Sequence, residues 1–571
     1  GFFSLGTPAS AESVIAVGAC EDADPTLTGG IPSRTAYFSS RGPTIYSTGK
    51  IMLKPDISAP GVHIRSANLG SNPINSIRSG TSMAAPHIAG LAALLKEIKP
   101  DLSPQNIKVI LMNNAVYSNF LVKNSEIITS PPQVAGIGRN DFSNSMIMDF
   151  FFYDRDNPDA VSISFNTQEV IEPTMEERWV RIENRSNQTK TFELTFTPTS
   201  TVSGVNIELP QMITSPIISN SFADLPVILN IEPLQLKHDK DPSVDFRYND
   251  PNRSWLSEFS GILSLRDTST DAYLYISLYA QPQPVSDLSL YPAYLDLSSS
   301  NTESLTVEGK ELYTGENFPY DLVSFLSFYE MKGISKKQNK LSEYLSCADI
   351  QFIGITDNLS YLTNSEDIEN STIYFLVSAY NTWSSPSQVC FTFYIDANND
   401  GRTDYALYNG TTYSGNTPPP SSDVFVSILS NFSDETKVEY PLNFFSGSEY
   451  DVNLFKSNCM VLAVKASDLK LKKDKCTIGF FCESKFIKDI SIIVDQVPEQ
   501  IPGQPKKRFI YDLKKKSIHT ESNSFSDIFS YAKNDSSITV AINEENYSDY
   551  NTCGLISFIT HNPRGKKVQF F

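Results

Sequence analysis

Apolar positions change their period once along this chain, near residue 149. Between Ser82 and Leu95 the residues Ala85, Ile88, Ala89, Ala92 and Leu95 recur at helical spacing, which predicts a helix with one buried face, entered through a turn at Ser79-Gly80-Thr81. Ser103-Pro104 supplies an N-cap followed by proline at the first helical position, and Ile107, Val109, Ile110, Leu111 and Met112 carry a second helix into a core. Ser13 to Ala19 is an apolar run of strand length bounded by turn residues, the pattern of a strand covered on both faces, as in a parallel sheet. The stretches Ala36–Pro43 and Lys54–Gly61 hold prolines and glycines that fix tight turns, and Val62 and Ile64 alternate with His63 and Arg65. Residues 1–149 are therefore expected to form an α/β domain.

Beyond Asp149 the period is two. Thr191 to Thr197 and Ala272 to Tyr279 alternate, with Pro, Asn and Ser clusters between such runs, which predicts a β-sandwich over residues 150–284. Gln281-Pro282-Gln283-Pro284 reads as a linker into a second β-domain over 285–431, and 432–571 reads as a third β-rich domain. Gly415 to Asp423, with three consecutive prolines, is expected to be a loop inside the second. The expected fold class is multidomain: part of an α/β domain followed by about three all-β, sandwich-like domains.

A length of 571 residues is ample for several cores, and composition narrows the partners. With 46 basic against 65 acidic residues and a net charge of -19, neither nucleic acid nor an anionic membrane is the main partner. No run of about 18 apolar residues would span a bilayer. The seven cysteines lack metal-ligand spacing, and both disulfides and buried free thiols are open readings. Asn-x-Ser/Thr triplets in polar turns, such as those at Asn184 and Asn409, suit an exposed surface and an exported protein.

Two stretches carry candidate chemistry. The first is Gly80-Thr81-Ser82-Met83-Ala84-Ala85-Pro86, which sets a serine on the first turn of a helix. Backbone N–H groups there lack intrahelical partners and carry the positive end of the helix dipole, so the Ser82 N–H would stabilise an oxyanion forming beside the Ser82 hydroxyl. The glycine turn before it, Gly80 and Thr81, lets backbone come close to a substrate. The plainer reading is an ordinary N-cap at Thr81 or Ser82. The second stretch is Asp396-Ala397-Asn398-Asn399-Asp400-Gly401-Arg402-Thr403-Asp404, between two predicted strands. Asp396, Asn398, Asp400 and Asp404 stand at positions 1, 3, 5 and 9 of a calcium-type loop with glycine at 6, whereas position 12 is Leu407. A structural calcium and a plain Asn-Asp-Gly turn are both open there.

The segment Gly80–Pro86 resembles the nucleophile motif of the subtilisin-like serine proteases, Gly-Thr-Ser-Met-Ala-x-Pro, without a break. Ala36–Pro43, Lys54–Gly61 and Gln133–Gly138 are similar to framework segments of the same family, and residues 150–284 to the fibronectin-III-like domain that follows it in large secreted members. The resemblance implies a serine-type endopeptidase acting on protein or peptide substrates through an acyl-enzyme on Ser82. It also implies a place for Gly6 in the substrate pocket, with a simple turn as the alternative, and an extracellular or cell-envelope location. No cofactor is required for that chemistry.

A serine hydroxyl needs an imidazole to take its proton and a carboxylate to orient the imidazole. Of the five histidines only His63 precedes Ser82, and the family's His-Gly-Thr, Asp-Ser/Thr-Gly and oxyanion-asparagine motifs are absent. His87, five residues on, points about 140° away around a helix. A pair made of His63 and Asp56 runs against the framework character of both stretches. The expectation is a fragment whose upstream part supplies Asp, His and the oxyanion Asn, inactive as it stands. The competing class is a non-catalytic pseudo-protease or surface binding protein on the same scaffold.

Overall fold

The computed structural model describes residues 2–21, 33–45, 50–69, 76–117, 119–123, 126–140, 149–244, 255–295, 300–312, 323–342, 345–363, 367–412, 424–443, 454–486, 493–500, 506–521, 528–549, 552–563 and 565–571. Gly1 and the proline-rich loop expected at 415–423 lie outside them. The described chain is mostly strand with few helices and divides into two compact units, the first drawn from residues 2–283 and the second from residues 284–571.

In the first unit Val17–Cys20 pairs in parallel with Ile57–Pro60, in register from Val17 opposite Ile57 to Cys20 opposite Pro60. Arg139–Asn140 joins the other side of Ile57–Pro60 and pairs antiparallel with Ala115–Val116. Helix α1, Thr81–Ile98, lies against this sheet. Its buried stripe is narrower than the sequence suggests: Ala84, Ile88 and Leu95 are buried and Ala92 half-buried, whereas Ala85 and Ala89 are exposed. Small apolar residues mark a surface that can pack closely, but whether it does depends on a neighbour, and no described element covers the Ala85 and Ala89 side.

Helix α2, Pro104–Asn113, starts as expected: the Ser103 hydroxyl accepts a hydrogen bond from the Asn106 N–H at 3.1 Å, in extended backbone just ahead of Pro104. Asn113, at its end, accepts from the Phe152 N–H at 2.9 Å and donates to the carbonyls of Phe152 and Tyr275 at 2.8 and 3.1 Å. That one side chain ties the helix to both sheets of the β-structure that follows. Those sheets are four-stranded and antiparallel, one in the order Phe150–Asp154, Thr174–Asn184, Ser221–Ile231, Val205–Glu208 and the other Ser162–Val170, Tyr273–Pro284, Phe259–Asp267, Phe192–Ser200. Val109 to Met112 of α2 share one apolar core with Phe150 to Phe152 and with Ile276 and Leu278. Residue 149 is thus a change of architecture and not a gap in the core.

Among the described residues the second unit holds two seven-stranded sheets and a four-stranded one. The boundary expected at 431/432 is corrected here. Thr372–Ala379 pairs along its length with Cys459–Lys465, Val389–Asp396 pairs with Thr477–Phe486, and Phe325–Ile334 pairs with Gly554–Ile559. In each seven-stranded sheet three neighbouring strands from 285–431 are flanked on both sides by strands from 432–571, so the two stretches build the same sheets. Period-two patterning identifies a strand but not its partner, and these strands pair across the chain.

Candidate catalytic serine and its framework

A short ladder of backbone contacts sets the start of α1. The Cys20 carbonyl, at the end of its strand, accepts from Gly61 N–H at 2.9 Å, and the Gly61 carbonyl accepts from Gly80 N–H at 2.8 Å. A Cβ on Gly61 would stand 2.7 Å from the Ala19 Cβ and 2.9 Å from the Gly80 oxygen, so only glycine lets these three segments close up. The Ser79 hydroxyl accepts from the His63 N–H at 2.9 Å, and Ile64–Ser66 pairs with Ser76–Arg78, which brings the chain back to Gly80. Helix α1 then begins at Thr81, with Ser82 exposed on its first turn and Gly80 and Thr81 half-buried. Pro86 has no N–H to give the Ser82 carbonyl four residues back, which loosens the first turn from the second.

No described residue acts as a base for Ser82, whose hydroxyl makes no hydrogen bond among the described residues. His87 is exposed and bonds the carbonyl of Met83 in its own helix through Nδ1 at 2.9 Å. His63 is exposed. Asp56 is turned away into a buried cluster that the sequence reading missed. Its Oδ2 accepts from the Lys54 ammonium at 2.6 Å and the Ala16 N–H at 2.7 Å, while Lys108 Nζ stands 3.3 Å from its Oδ1. Lys54, Asp56 and Lys108 are all inaccessible to solvent or nearly so. Burial holds the Lys54 pKa below its ordinary value against the pull of Asp56. Lys54 lies two residues from Asp56 and Lys108 on an apolar helix, a pattern that signals a cluster only once the strand and helix are known to meet.

Gly6 lies in a separate exposed turn, where Ser10 N–H bonds its carbonyl at 3.2 Å and a Cβ would meet nothing within 4 Å. No hydrogen bond among the described residues joins that turn to Gly80, Thr81 or Ser82.

In the second unit the loop from Asp396 to Asp404 joins Val389–Asp396 to Tyr405–Thr411. Asp396 Oδ1 and Asn398 Oδ1 converge on the Asp400 N–H at 3.1 and 2.9 Å, and Asp396 Oδ2 accepts from Gly401 N–H at 2.8 Å. Asp400 accepts from Arg402 N–H at 2.8 Å and Asp404 from Ala397 N–H at 2.9 Å. Arg508 Nη1 donates to the Gly401 carbonyl at 2.8 Å and stands 3.8 Å from Asp396 Oδ2, supplying positive charge at the loop. Among the described residues no group of three or more His, Cys, Asp or Glu side chains is arranged to hold a metal ion. None of the seven cysteines is in a disulfide, and no helix among the described residues is long and apolar enough to cross a membrane.

Comparison with known proteins bears on the first unit. The profile of the subtilase family, Peptidase_S8, matches residues 3–145. The minor extracellular protease Vpr of Bacillus subtilis (strain 168) is 34% identical over 175 residues, 30% of this chain and 20% of that protein. The serine protease AprX of the same organism is 38% identical over 122 residues, 19% of this chain and 26% of its own length. A CO(2)-response secreted protease of Arabidopsis thaliana is 38% identical over 124 residues, covering 19% of this chain and 16% of that protein. The chain therefore spans only about a quarter or less of the length of these relatives. Among solved structures, Sphericase aligns at 28% identity over 24% of this chain and 44% of its own, with a TM-score of 0.19. Tripeptidyl Peptidase 2 aligns at 13% identity over 100% of this chain and 50% of its own, with a TM-score of 0.27, and neither score equates the folds.

Proposed function

Because residues 3–145 belong to the subtilase family, we propose that this chain is part of a secreted serine endopeptidase in which Ser82 is the nucleophile. The observation that carries the reading is the exposed serine on the first turn of α1, held there by the Cys20–Gly61–Gly80 ladder. In this mechanism the Ser82 oxygen attacks the scissile carbonyl of a protein or peptide substrate. The Ser82 N–H donates to the developing oxyanion with the helix dipole behind it, and Gly80 and Thr81 form the adjoining wall for the substrate backbone. The general base, its orienting carboxylate and the second oxyanion donor come from an upstream segment of the same protein. A serine without its base keeps little of the rate enhancement, because such residues act as a unit.

The uncovered side of α1 supports the upstream segment. Ala85, Ala89 and Ala93 are exposed on the flank of α1 that also carries Ser82, beside the buried stripe of Ala84, Ile88 and Leu95. A covering segment would bury that surface at roughly 25 cal/mol per Å². Gly6 belongs to the same pocket in this reading, as the glycine wall of the side-chain site. The names of the relatives, extracellular and secreted among them, support export.

The test is expression of the complete protein beside its Ser82→Ala variant, with peptidase activity and fluorophosphonate labelling of Ser82 as readouts. Labelling and activity lost together in the variant support the reading; equal activity in both ends it. A non-catalytic surface protein is the second reading, favoured by the absence of a base near Ser82 among the described residues, and failure of the intact protein to label would select it. We also propose a structural calcium at Asp396, Asn398, Asp400 and Asp404, supported by the convergence of two of these side chains on one amide. Arg508 and the loop amides are the competing way to satisfy the same carboxylates.

A further inference from the structure

The framework stretch Ser39-Ser40-Arg41-Gly42-Pro43 hides a charge. The Arg41 guanidinium is enclosed by residues of the β-sandwich: its Nη2 bonds Glu258 Oε2 and stands 4.0 Å from Asp241 Oδ1, and its Nη1 donates to Ser243 Oγ at 2.6 Å. The Glu258 and Asp241 side chains are wholly buried, that of Arg41 nearly so. Tyr279 OH donates to the other Glu258 oxygen at 2.8 Å, and Gln133 Nε2 donates to Asp241 Oδ2 at 2.9 Å. Ser243 N–H caps Asp241 Oδ1 at 2.7 Å. Two carboxylates share one guanidinium here, withdrawn from water with almost every oxygen satisfied, and burial together with the neighbouring Asp241 pushes the Glu258 carboxyl above its ordinary value against the pull of Arg41.

The other end of Arg41 holds the opposite partner. Its N–H donates to Ser4 Oγ at 2.8 Å, its carbonyl accepts from Ser4 N–H at 2.9 Å, and its guanidinium stacks 4.9 Å from the ring centroid of the buried Phe2. Gly42 N–H bonds the Gln133 carbonyl at 2.8 Å, so the Gln133 segment is clamped to the same turn. A Cβ on Gly42 would fall 1.9 Å from the Lys54 oxygen, which fixes the turn against the Lys54–Gly61 stretch. Residues 2–4, leading into Gly6, therefore have their position set through one arginine whose charge is balanced inside the sandwich.

We propose that Glu258 and Asp241 are positioning residues for the substrate pocket: through Arg41 they fix the segment Phe2–Gly6, so that the sandwich sets the affinity and side-chain preference of a site it does not line. The proposal rests on the assignment of Gly6 and Ser82 to the proteolytic site. Its mechanical part stands apart from that assignment. The guanidinium is a fixed fork, with Nη2 on the Glu258 carboxylate and Nη1 on the Ser243 hydroxyl, so neither lysine at 41 nor an amide at 258 reproduces the contact.

Two measurements on Glu258→Gln test it. In the complete protease KM for peptide substrates should rise and kcat/KM fall by about 10²-fold, with a changed order of preference among substrate side chains, while the rate of Ser82 labelling by a small fluorophosphonate stays near that of the parent. In the present chain, hydrogen exchange of the peptide covering residues 2–12 should speed up by tenfold or more, with exchange in α1 unchanged; Arg41→Lys should do the same, and Tyr279→Phe, which keeps the ion pair, should do so far less. Unchanged exchange at 2–12 in both Glu258→Gln and Arg41→Lys overturns the inference whatever the activity. A kcat loss with KM and preference untouched overturns the pocket role. Failure of the parent itself to label is a different result: it removes the protease reading and leaves the exchange measurement as the judge of the clamp.

Discussion

Replacing Asp56 by asparagine takes away the carboxylate that two buried ammonium groups share. Lys54 Nζ lies 2.6 Å and Lys108 Nζ 3.3 Å from its oxygens. At an effective dielectric of about 20, contacts of this length correspond to about 5–6 kcal/mol of attraction each, most of which offsets the cost of removing the charges from water. Losing the partner of a buried ion typically costs about 3–5 kcal/mol. An independent ceiling comes from deprotonation. Lysine's ordinary pKa is 10.5, so shedding the proton at pH 7 costs about 4.8 kcal/mol at about 1.36 kcal/mol per pH unit. A cost of about 3–5 kcal/mol for Asp56→Asn lies within that one-lysine ceiling and is a large share of the stability of a domain.

The sign of the pH dependence follows from the same group. In the variant the Lys54 pKa loses the support of Asp56 and falls further below 10.5, so the folded chain binds fewer protons than the unfolded one and stability should rise with pH towards 10.5, by at most about 1.4 kcal/mol per pH unit for this group, and level off beyond. The parent should show the same sign with a shallower slope, because Asp56 favours the charged ammonium. Urea unfolding at several pH values, with hydrogen exchange at Ala16 as a local reporter of its 2.7 Å bond to Asp56, measures both. A cost below about 1 kcal/mol, or stability flat in pH for the variant, would refute the account of the cluster.

Gly61→Ala should drive the Gly80 segment away, since the new Cβ meets the Ala19 Cβ at 2.7 Å and the Gly80 oxygen at 2.9 Å; a loss of about 1–3 kcal/mol by chemical unfolding and slower Ser82 labelling in the complete protein are expected. Asp267 is held at about 2: burial would raise its carboxyl, but the Lys190 ammonium at 2.8 Å and the Ser269 and Thr270 hydroxyls outweigh it. Its contribution is present above the ordinary value of 3.8 and lost as pH falls through about 2, so Asp267→Asn should flatten that part of an acid titration of stability. For the Asp396 loop, calcium should raise the melting temperature of the second unit and EDTA or Asp400→Ala should lower it; no response to either removes the metal and leaves the loop to Arg508.

The local elements were legible along the chain. Ser103-Pro104 gave a capped helix start because the signal is contained within four residues, and the alternation at Thr191–Thr197 and Ala272–Tyr279 matches, but for its first residue in each case, the strands Phe192–Ser200 and Tyr273–Pro284. The exposed serine at the start of α1 was readable from a contiguous motif for the same reason. What escaped were the relations between distant segments. The exposed side of α1, the sheets shared across residue 431, the Lys54–Asp56–Lys108 cluster and the Arg41–Glu258 pair all join residues that nothing in the linear pattern associates.

By itself the amino-acid sequence determined the capped start of α2, the two alternating strands and the serine that heads α1, whereas the strand read from Ser13 begins only at Val17. Backbone sterics, side-chain periodicity and capping act over a few residues, so they are written in order along the chain. Only the tertiary structure decided which charges are buried and with whom: Arg41 with Glu258 over 217 positions, Lys108 of α2 with Asp56. An ion's fate depends on the water it loses and the partner it gains, and both are set by where distant parts of the chain come to rest.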